Sequence, residues 1–279
     1  MCLVRTVVTN SQFITIDEKR EMIMNLQSDK FVPVEKDSRT ALILAGSSEL
    51  GVSIIDDLIS QNYKVIFTWW KNESKALNLL HKYPGIEAIR LDLSSEDSVI
   101  AFCNQLSTRY ISTTIYCAGI NPATLCDEIE ASALISISRV NFISATLIFN
   151  AVVKKMKAHK EAGVSLIYIS SVSAKKVSIG NSLYGATKLA MERYLSGVAL
   201  EMARFNVRTL CLSPGYIKTR MLDEYCEKRG MTLRDIEKNI PMRKMLSPQD
   251  VANTIRSFIT NQIVTTGVTI TLGHGEGFI

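Results

Sequence analysis

From Thr40 onward, short apolar runs alternate with longer stretches whose apolar residues recur at helical spacing. The runs are ALILAG, KVIFTWW, IEAIRLDL, TTIYCAG, VSLIYISS, VRTLCLSPG and GVTITLG. Between them the pattern predicts helices ending near Ser60 and His81, one over Ser94 to Tyr110, helices reaching Lys160, one from Tyr184 to Arg204 and one from Pro248 to Thr260. Residues 216–246 read as an irregular stretch rich in Met and basic residues. Runs this apolar are strands buried on both faces, and strands separated by helices form a parallel sheet. With right-handed crossovers the expected fold is α/β: a doubly wound, mostly parallel, seven-stranded, Rossmann-like sheet. Ligands of such sheets bind beyond the carboxyl ends of the strands, so every strand end is a candidate site.

The chain ahead of Thr40 does not follow this rhythm. Residues 1–39 carry six basic and six acidic side chains, with a short strand suggested at Leu3 to Val8 and a helix at Asp17 to Leu26. They form an N-terminal extension to a domain covering 40–279, either an arm packed on the core or on a partner subunit, or a partly disordered tail. With 279 residues, 47% apolar and 21% charged, one large core is the expectation, and intrinsic disorder of the whole chain is excluded. The net charge of +5 is spread without a long basic run, which argues against nucleic acid as a partner. Six cysteines without a CxxC pair fit reduced thiols in the cytoplasm. There is no basic segment leading into an apolar one at the start and no run of about 18 apolar residues, so neither export nor a membrane partner is expected. His81, His159 and His274 stand apart from carboxylate clusters, and no metal site is predicted.

The first strand runs into Leu44-Ala45-Gly46-Ser47-Ser48-Glu49-Leu50-Gly51, a small-residue turn opening a helix. Such a turn brings backbone N–H groups and a helix N-terminus to a pyrophosphate, although a capped turn alone looks the same. Further on, Tyr184 and Lys188 are four residues apart on a predicted helix, and Ser171 ends a strand thirteen residues earlier. Residues i and i+4 share a helix face, so a phenol and an ammonium converge there. A nearby cation favours the phenolate and lowers the tyrosine pKa towards the range useful for proton transfer.

These residues resemble the short-chain dehydrogenase/reductase family, and the resemblance covers Thr40 to Gly275. Ile169-Ser170-Ser171 followed by Tyr184 to Lys188 matches its Ser and YxxxK pattern. Leu91-Asp92-Leu93 sits where the family places an Asp near the adenine, Tyr116-Cys117-Ala118-Gly119 resembles its NNAG, Asn141 its helix Asn, and Ser213 to Thr219 its NPGxxxT. The resemblance implies an NAD(P)-dependent oxidoreductase acting on a carbonyl or alcohol. Tyr184 would be the proton donor, Ser171 would polarise the substrate oxygen, and Lys188 would hold the ribose and lower the Tyr184 pKa. Asn141 would hold a water linking Lys188 to solvent. Cofactor binding would fall to Gly46, Ser47, Ser48, Leu50, Trp69, Lys71, Asp92, Leu93, Ala118, Gly119, Tyr184, Lys188, Pro214, Gly215, Ile217 and Thr219. A homotetramer or homodimer would follow.

The chain departs from the family at several of these places. Ala45 and Gly46 exchange the family's Gly and Ala, Glu49 replaces a Gly, and both Asn of NNAG become Tyr116 and Cys117. A carboxylate at Glu49 repels a pyrophosphate unless it turns away. After the second strand, Thr68-Trp69-Trp70-Lys71-Asn72 has no carboxylate for a ribose 2′-hydroxyl, so NADP(H) is favoured over NAD(H). The two Trp either cover the adenine or pack on the first helix. Residues 216–246, the family's lid, hold Met and Tyr side chains suited either to a long apolar substrate or to the lid's own packing. Eight Lys and Arg there outnumber five acids, which favours a substrate carried on acyl-carrier protein or CoA. The expected activity is therefore a 3-oxoacyl or polyketide-type ketoreductase. The alternatives are an alcohol, sugar or steroid dehydrogenase on the same scaffold, or a non-catalytic dinucleotide-binding regulator.

Overall fold

Each apolar run forms a strand, and a polar cap starts several of the helices between them. The computed structural model describes residues 39–156 and 163–277. The strand and helix expected in the N-terminal extension, and the end of the helix expected to reach Lys160, lie outside these residues. The strands are β1 (Thr40–Leu44), β2 (Lys64–Trp69), β3 (Glu87–Arg90), β4 (Thr113–Tyr116), β5 (Val164–Ile169), β6 (Val207–Pro214) and β7 (Val268–Leu272). They make one sheet in the order β3-β2-β1-β4-β5-β6-β7, with every neighbouring pair parallel. The strand order reverses between β1 and β4, which opens a crevice at their carboxyl ends.

The helices are α1 (Glu49–Ser60), α2 (Glu73–Lys82), α3 (Glu96–Leu106), α4 (Ala131–Ser138), α5 (Ser144–Met156), α6 (Ser182–Met202), α7 (Arg220–Arg229), α8 (Leu233–Lys238) and α9 (Pro248–Ile259). Ser48, Asn72 and Ser95 each accept an N–H from the first turn of α1, α2 and α3. In α9 a Ser247–Asp250 capping box precedes Pro248 at the first turn. These short polar residues satisfy amides that no helix can satisfy for itself, and so fix where each helix leaves its strand.

Alternate residues of β1 face two cores. Leu42 and Leu44 pack with Tyr116, Phe149, Tyr168 and Met191 under α3, α5 and α6. Ala41 and Ile43 pack with Ile54, Phe67, Leu210 and Phe258 under α1 and α9. Burial on both faces is why the strands read as unbroken apolar runs.

Two observations differ from the sequence pattern. The stretch 216–246 is not irregular: α7 and α8 bury Leu222, Cys226, Ile236 and Ile240 in a small core of their own. In addition, Ala131–Lys155 is one continuous helical stretch, long and apolar enough to cross a membrane by length and composition. Ser136, Ser138, Arg139 and Asn141 break the apolar run in the sequence. In the fold Ile137, Ile148 and Phe149 of this stretch are fully buried.

Candidate active site

The turn between β1 and α1 lies against β2. The Ala45 N–H donates to Thr68 Oγ1 at 3.0 Å and the Gly46 N–H donates to the Thr68 carbonyl at 2.8 Å. Ala45 adopts φ 60°, the left-handed region, at a cost of roughly 1–2 kcal/mol for a residue with a Cβ. A Cβ on Gly46 would lie 2.6 Å from Phe67 Cβ, and one on Gly51 would lie 2.6 Å from Gly46 Cα. Gly46 thus presses the turn onto β2 and does not line the cleft, unlike Ser47, Ser48 and Leu50. The Glu49 side chain lines the cleft and reaches α7: Oε2 accepts the Arg220 N–H at 2.8 Å. That carboxylate caps α7, whose N-cap residue Thr219 makes no side-chain cap. The first residue of α1 is thereby tied to the first turn of the segment the sequence marks as a lid.

A cleft of about 720 Å³ runs along the carboxyl ends of the strands, a size within the ~300–1,000 Å³ usual for small-molecule sites. At one end it is lined by Trp69, Trp70, Lys71, Lys75, Asp92 and Leu93. Trp69, the last residue of β2, is buried in the core, and its indole N–H has no partner among the described residues. Arg90 lies over the Trp70 ring at 4.7 Å and over Trp69 at 5.9 Å. Asp92 Oδ1 accepts from the Ser94 N–H and hydroxyl, which closes the turn after β3. No carboxylate stands among Thr68 to Asn72.

The other end of the cleft holds Ser171, Tyr184 and Lys188, with Ala118, Gly119, Pro214, Gly215, Ile217 and Thr219 along its walls. Lys188 is 3% exposed; its Nζ donates to the Ile169 carbonyl at 2.8 Å and lies 5.5 Å from the Tyr184 ring centre. A Cβ on Gly119 would come within 3.1 Å of that nitrogen, so glycine is the residue that admits it. Asn141 is fully buried: Oδ1 accepts the Ile120 N–H, while Nδ2 donates to the Ile120 carbonyl and to Thr187 Oγ1. The amide therefore fixes the loop after β4 against α6.

The electrostatics differ from the sequence expectation. Burial pushes the Tyr184 phenol up to about 12, with a hydrogen bond to Ser171 pulling the other way. Burial likewise brings the Lys188 ammonium down to about 7. Burial, not Lys188, sets the direction of the Tyr184 shift.

Asn141 lies in a π turn, Arg139–Ile143, between α4 and α5. There the Ser144 N–H bonds to the Arg139 carbonyl, five residues back, so Val140 loses the partner an α-helix would give its carbonyl. Tyr116 supplies a replacement, its hydroxyl donating to the Val140 carbonyl at 2.5 Å. The Tyr168 hydroxyl donates to the Asn141 carbonyl at 2.7 Å. The two tyrosines are register partners on β4 and β5, fully buried and stacked at 5.7 Å. Tyr116, in place of the first NNAG asparagine, thus joins Tyr168 in a phenol clamp on the turn.

Sequence reasoning missed Glu276. Buried at the cleft wall, it accepts the Tyr216 N–H at 3.2 Å and the His274 N–H at 2.6 Å. A Cβ on Gly215 would collide with its carboxylate. Glu276 thus joins the turns after β6 and β7, and nothing in the local pattern GHGEG marks it.

The chain is 22% identical over 237 residues to the 3-oxoacyl-[acyl-carrier-protein] reductase of Mus musculus, covering 84% of this chain and 97% of the relative. Its fold matches ElxO with NADP bound at TM-score 0.75 and 23% identity, over 86% of this chain and 98% of the other. It matches 4-hydroxyisoleucine dehydrogenase complexed with NADH at TM-score 0.79 and 21% identity, over the same shares. Residues 39–230 match the family model described as short chain dehydrogenase, and the chain belongs to that family of NAD(P)-dependent oxidoreductases.

Proposed function

We propose that this protein is an NADP(H)-dependent reductase of a substrate carbonyl, with a 3-oxoacyl or polyketide-type thioester as substrate. The observation that carries the reading is the meeting of Ser171, Tyr184 and Lys188 at one end of a cleft whose other end carries Lys71 and Lys75. The residues fit a dinucleotide: Trp69 lines the cleft with a buried indole N–H unpaired among the described residues, and Gly119 leaves room beside Lys188. Ser47, Ser48, Leu50 and the α1 N-terminus would hold the pyrophosphate. Lys71 and Lys75, with no carboxylate among Thr68 to Asn72, suit a 2′-phosphate better than a hydroxyl. NAD(H) remains the second choice, in keeping with the NADH-bound fold neighbour.

A nicotinamide dinucleotide bound there supplies the hydride. With its pKa near 12, Tyr184 keeps its proton throughout the neutral range and can give it to the carbonyl oxygen as negative charge develops. Ser171 donates a hydrogen bond to the same oxygen and opposes that charge. Lys188 holds ribose hydroxyls, and Asn141 keeps the loop after β4 in place beneath them.

Lys176, Arg220 and Tyr225 line the substrate side of the cleft, and Lys228 and Arg229 of α7 donate to the Pro122 and Ile179 carbonyls across its mouth. These cations suit an acidic acyl-carrier protein or a CoA phosphate. Leu189 of α6 with Ile143 and Leu147 beside it are exposed and apolar, as befits a homodimer or homotetramer. Five free cysteines among the described residues accord with the cytoplasm.

The test is NADPH oxidation with the N-acetylcysteamine thioester of acetoacetate. Tyr184→Phe is expected to lower kcat by about 100-fold or more while NADPH affinity stays within about twofold. Full activity in the variant, or failure of the wild-type protein to bind NADPH, overturns the proposal.

A further inference from the structure

Glu192 is a carboxylate that the proposed chemistry leaves unused. It is 5% exposed, four residues beyond Lys188 on α6 and eight beyond Tyr184, so the three share one helix face. Its Oε1 accepts the Ser170 hydroxyl at 2.6 Å. Ser170 lies between Ile169, whose carbonyl accepts from Lys188, and Ser171 at the cleft. A buried carboxylate with so little solvation is costly unless a positive charge lies within reach.

The groups around Lys188 identify that charge. Cys117 after β4 and Cys211 on β6 act on it electrostatically, but burial pushes both thiols up to about 12, so neither is an anion at neutral pH. Tyr184 on α6 is likewise held protonated, and the Tyr168 ring on β5, 4.6 Å from Nζ, is raised well above its ordinary range. Asn141 and Thr187 carry no charge. Glu192 is the carboxylate in this set, buried one helical turn from Lys188, and it favours the charged form of Lys188 against the desolvation that lowers it.

We propose that Glu192 is a positioning residue for the reductase centre: it is the buried counter-charge that favours the ammonium form of Lys188, and through Ser170 it pins the strand end that presents Ser171. The assignment rests on the reductase reading for its functional meaning, but its physical content is a charge interaction that can be read without substrate or cofactor.

The experiment follows Lys188 by NMR on 15Nζ-lysine-labelled full-length protein, with the signal identified by its loss in Lys188→Met. Glu192→Gln keeps an acceptor for Ser170 and removes only the charge. It is expected to lower the Lys188 titration midpoint by about one pH unit and to move the pH profile of NADPH-dependent turnover in the same direction. Ser170→Ala, which removes the pin and keeps the charge, is expected to reduce kcat and leave the midpoint in place. An unchanged or higher midpoint in Glu192→Gln overturns the proposal. Should that variant not fold, Glu192→Asp draws the charge back by one methylene and is expected to lower the midpoint, and no movement overturns the proposal equally. A wild-type protein that reduces no carbonyl counts against the reductase reading, while the lysine titration still decides the role of Glu192.

Discussion

Glu49 illustrates how one side chain can serve two neighbouring requirements. As a charge beside the pyrophosphate turn it is unfavourable; as the acceptor for the Arg220 N–H it supplies the cap that α7 lacks. Both groups are exposed, so the charge effect is modest and screened by salt. Glu49→Gln retains an acceptor oxygen and removes the charge. NADPH is therefore expected to bind about two- to fivefold tighter to the variant at low salt, a gain that shrinks as salt rises, measured by nicotinamide fluorescence titration. Equal or weaker binding would contradict this account. The sequence announced the charge conflict at Glu49 but not its resolution, because the partner lies 171 positions away and is a backbone amide, which no residue type signals. Glu276 was invisible for the same reason, since both its donors are backbone N–H groups.

At the scale of an element, the π turn Arg139–Ile143 shows what the altered NNAG motif does. Tyr116 and Tyr168 act on it from the adjacent strands β4 and β5, and each phenol answers one carbonyl. Removing either hydroxyl leaves a buried acceptor short of a partner, at about 1–3 kcal/mol. Tyr116→Phe and Tyr168→Phe are each expected to lower the urea midpoint accordingly. Because the two donors brace a single turn, the double variant should fall short of the sum. Full additivity would mean that the tyrosines act independently. The central strands were legible because burial on both faces makes each a mostly apolar run, and α9 because Ser247 and Pro248 announce it. The helices α7 and α8 were not, since basic and acidic residues crowd them and only Leu222, Cys226 and Ile236 are buried. A tertiary core of four residues holds them, with a Thr232–Asp235 capping box that a longer apolar pattern would have made conspicuous.

For the whole molecule, the buried groups around the centre couple stability to pH in opposite directions. Lys188 titrates near 7 in the folded protein and near 10.5 unfolded, so between these values the unfolded chain binds more protons and stability rises with pH. Cys117 and Cys211, held near 12 against 9.0, and Tyr184, near 12 against 10.0, act the other way. Their folded forms retain protons that the unfolded chain gives up above pH 9 to 10, so their contribution is lost there. Lys188 consequently dominates the window from pH 7 to 9, where a full proton difference is worth about 1.4 kcal/mol per pH unit. The wild-type unfolding free energy is expected to gain on the order of 2 kcal/mol between pH 7 and 9 and to fall again at higher pH. Lys188→Met should remove the rise and keep the fall, because the thiols and phenol remain. Urea unfolding of both proteins across this range makes the comparison, and an equally steep rise in Lys188→Met would show that the buried ammonium is not its source.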